Sequence, residues 1–203
     1  MYPENNQAPI DYLNQIAPAP HKQKLSLRAL IAIIVGIGLI IALFVAVVSA
    51  LSGGSSSTST NMQTLAARLQ AMQEVTDKSQ ATIQSSNLRG TNSNLKIFLT
   101  NANHDIIAPL SANGIEIKKL DKAIVAKEKT DKITTDLENA RLNAVFDDTY
   151  AREMAYKLTT VSLLMDQIYS HTKSTSMKDF LVKTDDNLQP IKTQLEAFNA
   201  SAR

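Results

Sequence analysis

Hydrophobic positions along this chain follow two distinct patterns. The first is a solid block. From position 29 to position 51 no residue is charged, and Ile, Leu, Val and Phe44 fill most of the run. About 23 residues measure roughly 34 Å as a helix, enough to cross a hydrocarbon core with some tilt. A buried core helix of that length normally carries several polar residues. This one has only Ser49, near its end. The block predicts a transmembrane helix over 29–51.

The second pattern is periodic, with apolar residues alternately three and four apart. A helix over 61–88 has the seam Met62, Leu65, Leu69, Met72, Thr76, Ser79 and Ile83. Another, over 93–112, uses Leu95, Phe98, Leu99, Ala102, Ile106 and Leu110, with Pro109 placed to kink or stop it. Ile117, Leu120 and Ile124 open a further helix, and Ile133, Leu137, Ala140 and Ala144 continue it in a second register. The phase slips across 127–132, which predicts one long helix with an exposed or interrupted middle. The seam over 147–172 is Ala151, Met154, Leu158, Val161, Met165 and Ile168. That over 177–200 is Met177, Leu181, Thr184, Leu188, Ile191, Leu195 and Phe198, with Ser176 and Asp179 as a start resembling a capping box. No stretch alternates with period two. The expected fold is all-α: an N-terminal transmembrane helix, then an extracytoplasmic antiparallel bundle of four to five long helices.

Punctuation and charge support the helices. Gly90 and Gly114 fall where one helix should end and the next begin. Glu74/Lys78, Glu128/Lys132, Asp148/Arg152, Glu153/Lys157 and Asp179/Lys183 are four apart with the acid first, the better orientation for a helix.

Flanking charge orients the block. Lys22, Lys24 and Arg28 precede it, and the next charge after it is Arg68. By the positive-inside rule the N-terminus is cytoplasmic and the remainder lies outside. The expected organisation is a cytoplasmic Pro-rich tail (1–28), the membrane helix (29–51), a Ser/Gly/Thr linker (52–60) and a helical domain (61–203). Val48-Ser49-Ala50 offers small residues to a signal peptidase, but the apolar run exceeds the usual length of a signal-peptide core. Gly38, Ala42, Ala46 and Ala50 recur every four positions, a spacing that lets two membrane helices approach closely.

The tail holds Pro3, Pro9, Pro18 and Pro20, which disfavour helix. Between them, Asp11-Tyr12-Leu13-Asn14-Gln15-Ile16 stands ahead of the basic flank. This arrangement, covering about the first quarter of the chain, resembles the tails of uncharacterised single-pass proteins of small-genome, candidate-phylum bacteria. The resemblance implies a protein of the cell surface and carries no activity or functional residue with it.

Composition narrows the chemistry. With no Cys there are no disulfides, thiolate metal sites or Cys nucleophiles. Lys+Arg 21 against Asp+Glu 19 is not the balance of a nucleic-acid binder. The mean hydropathy of -0.11 averages a very apolar block with a polar remainder. His104 and His171 lack the Glu-x-x-His pattern of a di-iron bundle. No phosphate loop or nucleophile elbow is present, and no cofactor is expected. Asp185-Asp186 reads as a solvated face or a weak calcium contact, with no EF-hand spacing around it. The richest polar stretch contains Asn143, Asp147, Asp148, Tyr150 and Arg152, the candidate surface for a partner or ligand. The expected partners are the lipid bilayer, a second copy through the anchor, and an envelope or surface protein. The expected function is a non-enzymatic interaction or structural module. The competing expectation is a sensory ectodomain that signals through anchor dimerisation.

Overall fold

The computed structural model describes residues 54–201. The tail, the membrane block and its flank, with Lys22, Lys24, Arg28, Gly38, Ala42, Ala46 and Ala50, lie outside the described residues. Within that range the backbone is helical, without strands: α1 (Gly54–Ser79), α2 (Ser86–Asp105), α3 (Ile107–Ala112), a 3-10 turn (Ile117–Lys119), α4 (Lys122–Lys127), α5 (Asp131–Leu142), α6 (Phe146–His171) and α7 (Thr175–Ser201). Among the described residues no helix is long and apolar enough to cross a membrane.

Four long helices form a square. α1 packs on α2 and α6, and α7 packs on the same two. Side-chain ties fix the directions. Arg68 on α1 reaches the Thr160 carbonyl on α6, and Asp147 at the start of α6 binds the chain just after α1. α1 and α6 therefore run antiparallel. Thr91 meets Gln194, and Asp105 meets Lys183, so α2 and α7 do too. Two short hairpins, α1–α2 and α6–α7, are joined by one long crossover over 106–145 that climbs the bundle from the end of α2 to the start of α6. A single such crossover is an established way to connect a four-helix bundle.

The seams expected from spacing form the core. All seven seam residues of α1 and its following loop are buried, as are all six of α6 and the first six of α7. Phe198 is partly buried against them. The core residues of the four long helices and the crossover merge into one cluster.

The structure corrects several boundaries. α1 stops at Ser79 rather than near 88, and Ile83 reaches the core from the loop instead. Gly90 lies inside α2, which starts at Ser86, where the Ser85 hydroxyl accepts the Leu88 N–H at 3.4 Å. That side-chain cap supplies the start signal, so the glycine is not needed as one. At the other end, α1 begins at Gly54 and takes in most of the expected linker. Thr and Ser can bond the carbonyl one turn back, as Thr64 does to Thr60 at 2.9 Å, and the buried seam carries the helix outward.

The phase slip at 127–132 is a true break: α4 ends at Lys127 and α5 starts at Asp131. Of the five charge pairs, Glu74–Lys78 closes. Glu128 instead pairs with Arg68, Lys132 with Asp136 and Lys183 with Asp105, while Arg152 lies nearest Glu153 at 3.8 Å. Helix spacing makes such pairs possible; competing partners decide which form. Ser174, not Ser176, caps α7 by accepting the Met177 N–H at 3.4 Å.

The two prolines behave differently. Pro109 would clash with the carbonyl of residue 105 in a continuous helix. The helix breaks there, and Pro109 falls in the first turn of α3. Pro190 lies within an unbroken α7. Its cost in a helix interior is about 3 kcal/mol. Leu188, Ile191 and Leu195 around it are all buried, each stabilising by roughly 1.5–3 kcal/mol. Together they outweigh the proline.

Candidate functional site

The candidate surface falls at the end of the bundle opposite the start of α1. Here the α1–α2 loop, the α5–α6 turn and the last turns of α7 meet. α5 ends in a Schellman motif: Val145 N–H bonds the Ala140 carbonyl at 2.9 Å, and Ala144 N–H bonds that of Arg141 at 3.2 Å. Such a motif places its linking residue in the left-handed region, normally glycine. Here that residue is Ala144, at φ 57. The turn leaves Leu142 and Val145 exposed, at 68% and 47%.

Asp147 and Asp148 occupy the first turn of α6, where acids favour the positive helix end. Asp147 is fully used. Its carboxylate accepts the Ser85 N–H at 2.7 Å and the Gln84 N–H at 3.1 Å. The carbonyls of the same loop are taken by Arg89, whose guanidinium donates to Ile83 at 2.7 and 3.2 Å. The loop's polar groups are thus held by one acid and one base from two helices.

Tyr150 does not belong to the surface. It is fully buried and donates its hydroxyl to Asn92 Oδ1. Asn92, equally buried, donates to the Thr76 carbonyl at 3.2 Å and to Gln80 Oε1. Burial pushes the Tyr150 phenol well above its ordinary value. The ring stacks on Phe146 with centroids 6.1 Å apart. A tyrosine one turn inside a helix start reads as polar in sequence. Its helical phase with Ala151 and Met154 is the signal that puts it on the core side. Asn143, Asp148 and Arg152 are exposed.

Between these elements lies an open cleft of about 270 Å³. Phe146, Phe198 and Val145 supply apolar walls, and Gln84, Arg141 and Asp148 supply polar ones. Arg141 is held by Glu138 through two bonds of 2.6 and 2.8 Å. Phe198 and Gln84 come from parts of the chain more than fifty residues away from the α5–α6 turn, so no local pattern joins them to it. A shallower cleft of about 210 Å³ lies between α6 and α7, beside Tyr169, Val182 and Asp185. Lys178 sits 5.0 Å over the Tyr169 ring. The Asp185 carboxylate accepts from Ser162 and Gln189, so it ties α6 to α7.

Among the described residues no group of three His, Asp or Glu side chains converges to hold a metal. His104 and His171 are exposed. The first cleft offers apolar walls with a polar rim, a chemistry suited to contact with another molecule. No protein-family model, curated protein or solved structure matches this chain.

Proposed function

We propose that this chain is a single-pass membrane protein, N-terminus in the cytoplasm, that presents its helical bundle outside the cell membrane as a non-enzymatic interaction module. One observation carries the proposal. The uncharged run over 29–51 has Lys22, Lys24 and Arg28 before it and no charge after it until Arg68. Such asymmetry orients a membrane helix with its basic flank inside. A folded helical unit begins directly after that run. Its cleft beside Leu142, Val145 and Asp148 is the surface assigned to a partner protein. Gly38, Ala42, Ala46 and Ala50 are the face assigned to pairing within the bilayer.

The absence of Cys makes the topology simple to test. A single Cys is introduced at Gln7→Cys in the tail or at exposed Lys173→Cys in the bundle. Intact cells are treated with a membrane-impermeant maleimide. Labelling of the bundle variant alone, with tail labelling only after permeabilisation, is the expected result. Labelling of the tail in intact cells, or of neither site before permeabilisation, overturns the proposal.

A further inference from the structure

The crossover contains one helix with almost nothing to hold it. α4 has no buried residue. Val125 is exposed and Ile124 only half-buried. Every other helix of α1–α7 buries at least two side chains. Two polar ties hold α4 at its ends. At the start, the Asp121 N–H donates to Gln63 Oε1 on α1 at 2.9 Å. At the finish, Glu128 takes both arms of Arg68 on α1, at 2.7 and 2.9 Å.

The second tie is the strong one. A two-pronged guanidinium–carboxylate pair is directional as well as charged. Arg68 and Glu128 are 19% and 12% exposed, so water screens them poorly. Arg68 also donates to the Thr160 carbonyl on α6 at 3.3 Å. The guanidinium is thus fixed by the bundle independently of α4. Beneath the pair is a void of only about 10 Å³ beside Met72, Val75 and Met154. Past it, Thr130 and Ile133 are buried and anchor the start of α5.

We propose that residues 121–129 form a latched strap that opens as one unit while the four long helices stay folded, with Arg68–Glu128 as its latch. A segment with few buried apolar contacts sits at the low end of local stability, and here half-buried Ile124 and two polar ties, one of them an ion pair, hold it to α1. Opening frees half-buried Ile124 and uncovers the Arg68 guanidinium and the flank of α1, a surface not displayed by the closed bundle. The chain at Lys129, between the latch and buried Thr130, is one hinge, and Leu120, packed on the core, marks the other.

Hydrogen exchange read by mass spectrometry on the full chain in detergent tests this. In the unmodified protein, amides of 122–128 should exchange well ahead of those at the centres of α1, α2, α6 and α7. Arg68→Ala and Glu128→Gln should each speed the strap's exchange by about tenfold or more, with the long helices unchanged. Equal protection of the strap and the long helices in the unmodified protein overturns the proposal. So does unchanged strap exchange in both variants. Loss of helicity across the bundle in both variants would make the pair part of the core, and would overturn it as well.

Discussion

Asp147 accepts the backbone N–H of Ser85 at 2.7 Å across sixty-two positions of sequence. The same carboxylate takes the Gln84 N–H, so one side chain at the start of α6 closes the loop between α1 and α2. Hydrogen bonds to a charged acceptor contribute about 1.5–3 kcal/mol. Asp147→Ala should therefore lower unfolding stability by about 1.5–3 kcal/mol in urea titrations. Asp147→Asn keeps an acceptor oxygen and should lose roughly half as much. Equal losses would mean that the charge matters and the geometry does not.

The pair formed by Tyr150 and Asn92 gives a pH signature. Tyr150 is buried, which holds its phenol neutral above the ordinary tyrosine value of 10.0. In the unfolded chain it ionises near that value. The folded state therefore keeps its full stability below pH 10.0 and loses it as pH rises further. The slope from this one group is about 1.4 kcal/mol per pH unit. In an ultraviolet tyrosinate titration, Tyr150 should ionise only as the helical signal is lost. Tyr150→Phe should remove that alkaline coupling. It should also cost about 1–3 kcal/mol at neutral pH, because Asn92 Oδ1 is left buried without its donor.

Two equivalent turns carry different residues. Gly114, at φ 73, closes α3 with Ile115 N–H on the Leu110 carbonyl. Ala144, at φ 57, closes α5 with the same pattern. A left-handed conformation costs a Cβ-bearing residue about 1–2 kcal/mol. Ala144→Gly should thus raise stability by about 1 kcal/mol, and Gly114→Ala should lower it by about as much. Thermal melts of both variants provide the comparison. No gain at position 144 would show that the gain in unfolded-chain entropy offsets the relief of strain.

Carboxylate pairing predicts the acid limit. The ammonium of Lys78 holds the Glu74 carboxyl below its ordinary value, Lys183 does so for Asp105, and Arg141 for Glu138. A lowered acid stabilises the fold above its unfolded value, and that contribution is lost as pH falls through the folded value. Melting temperature should be level above the ordinary glutamate value of 4.5 and fall below it. These pairs are largely exposed, so raised salt should shrink the effect. A melting temperature that starts to fall well above that value would point to another group.

Much of this fold is legible in the sequence because burial follows helical spacing. Seams such as Leu65, Leu69 and Met72, or Leu158, Val161 and Met165, name the core directly. Polar members hide among them: Thr76 and Ser79 are legible by phase alone, while Asn92 and Tyr150 read as surface residues until the phase is followed. What spacing does not contain is partner choice. Glu128 has a local lysine at the right interval and bonds Arg68 instead, because only the folded crossover brings the two together. The cleft was half legible. Asp147 and Asp148 stand out locally, whereas Phe198 and Gln84 join them only through the antiparallel order of the helices.

Gly90 and Pro190 are the two helix breakers that break nothing. Gly90 is exposed inside α2, and a methyl group added there meets no atom within 4 Å. Gly90→Ala should stabilise by about 0.5–1 kcal/mol, from propensity alone. Pro190 is exposed inside α7 and leaves the Asp186 carbonyl without its usual helical donor. Pro190→Ala restores that donor and should stabilise by up to about 3 kcal/mol. The two sites are on different helices and should add in the double variant. Urea unfolding of the singles and the double measures all three. A gain at Gly90 with none at Pro190 would mean that α7 has already bent to relieve its proline, and that straightening it strains the packing of Leu188 and Ile191.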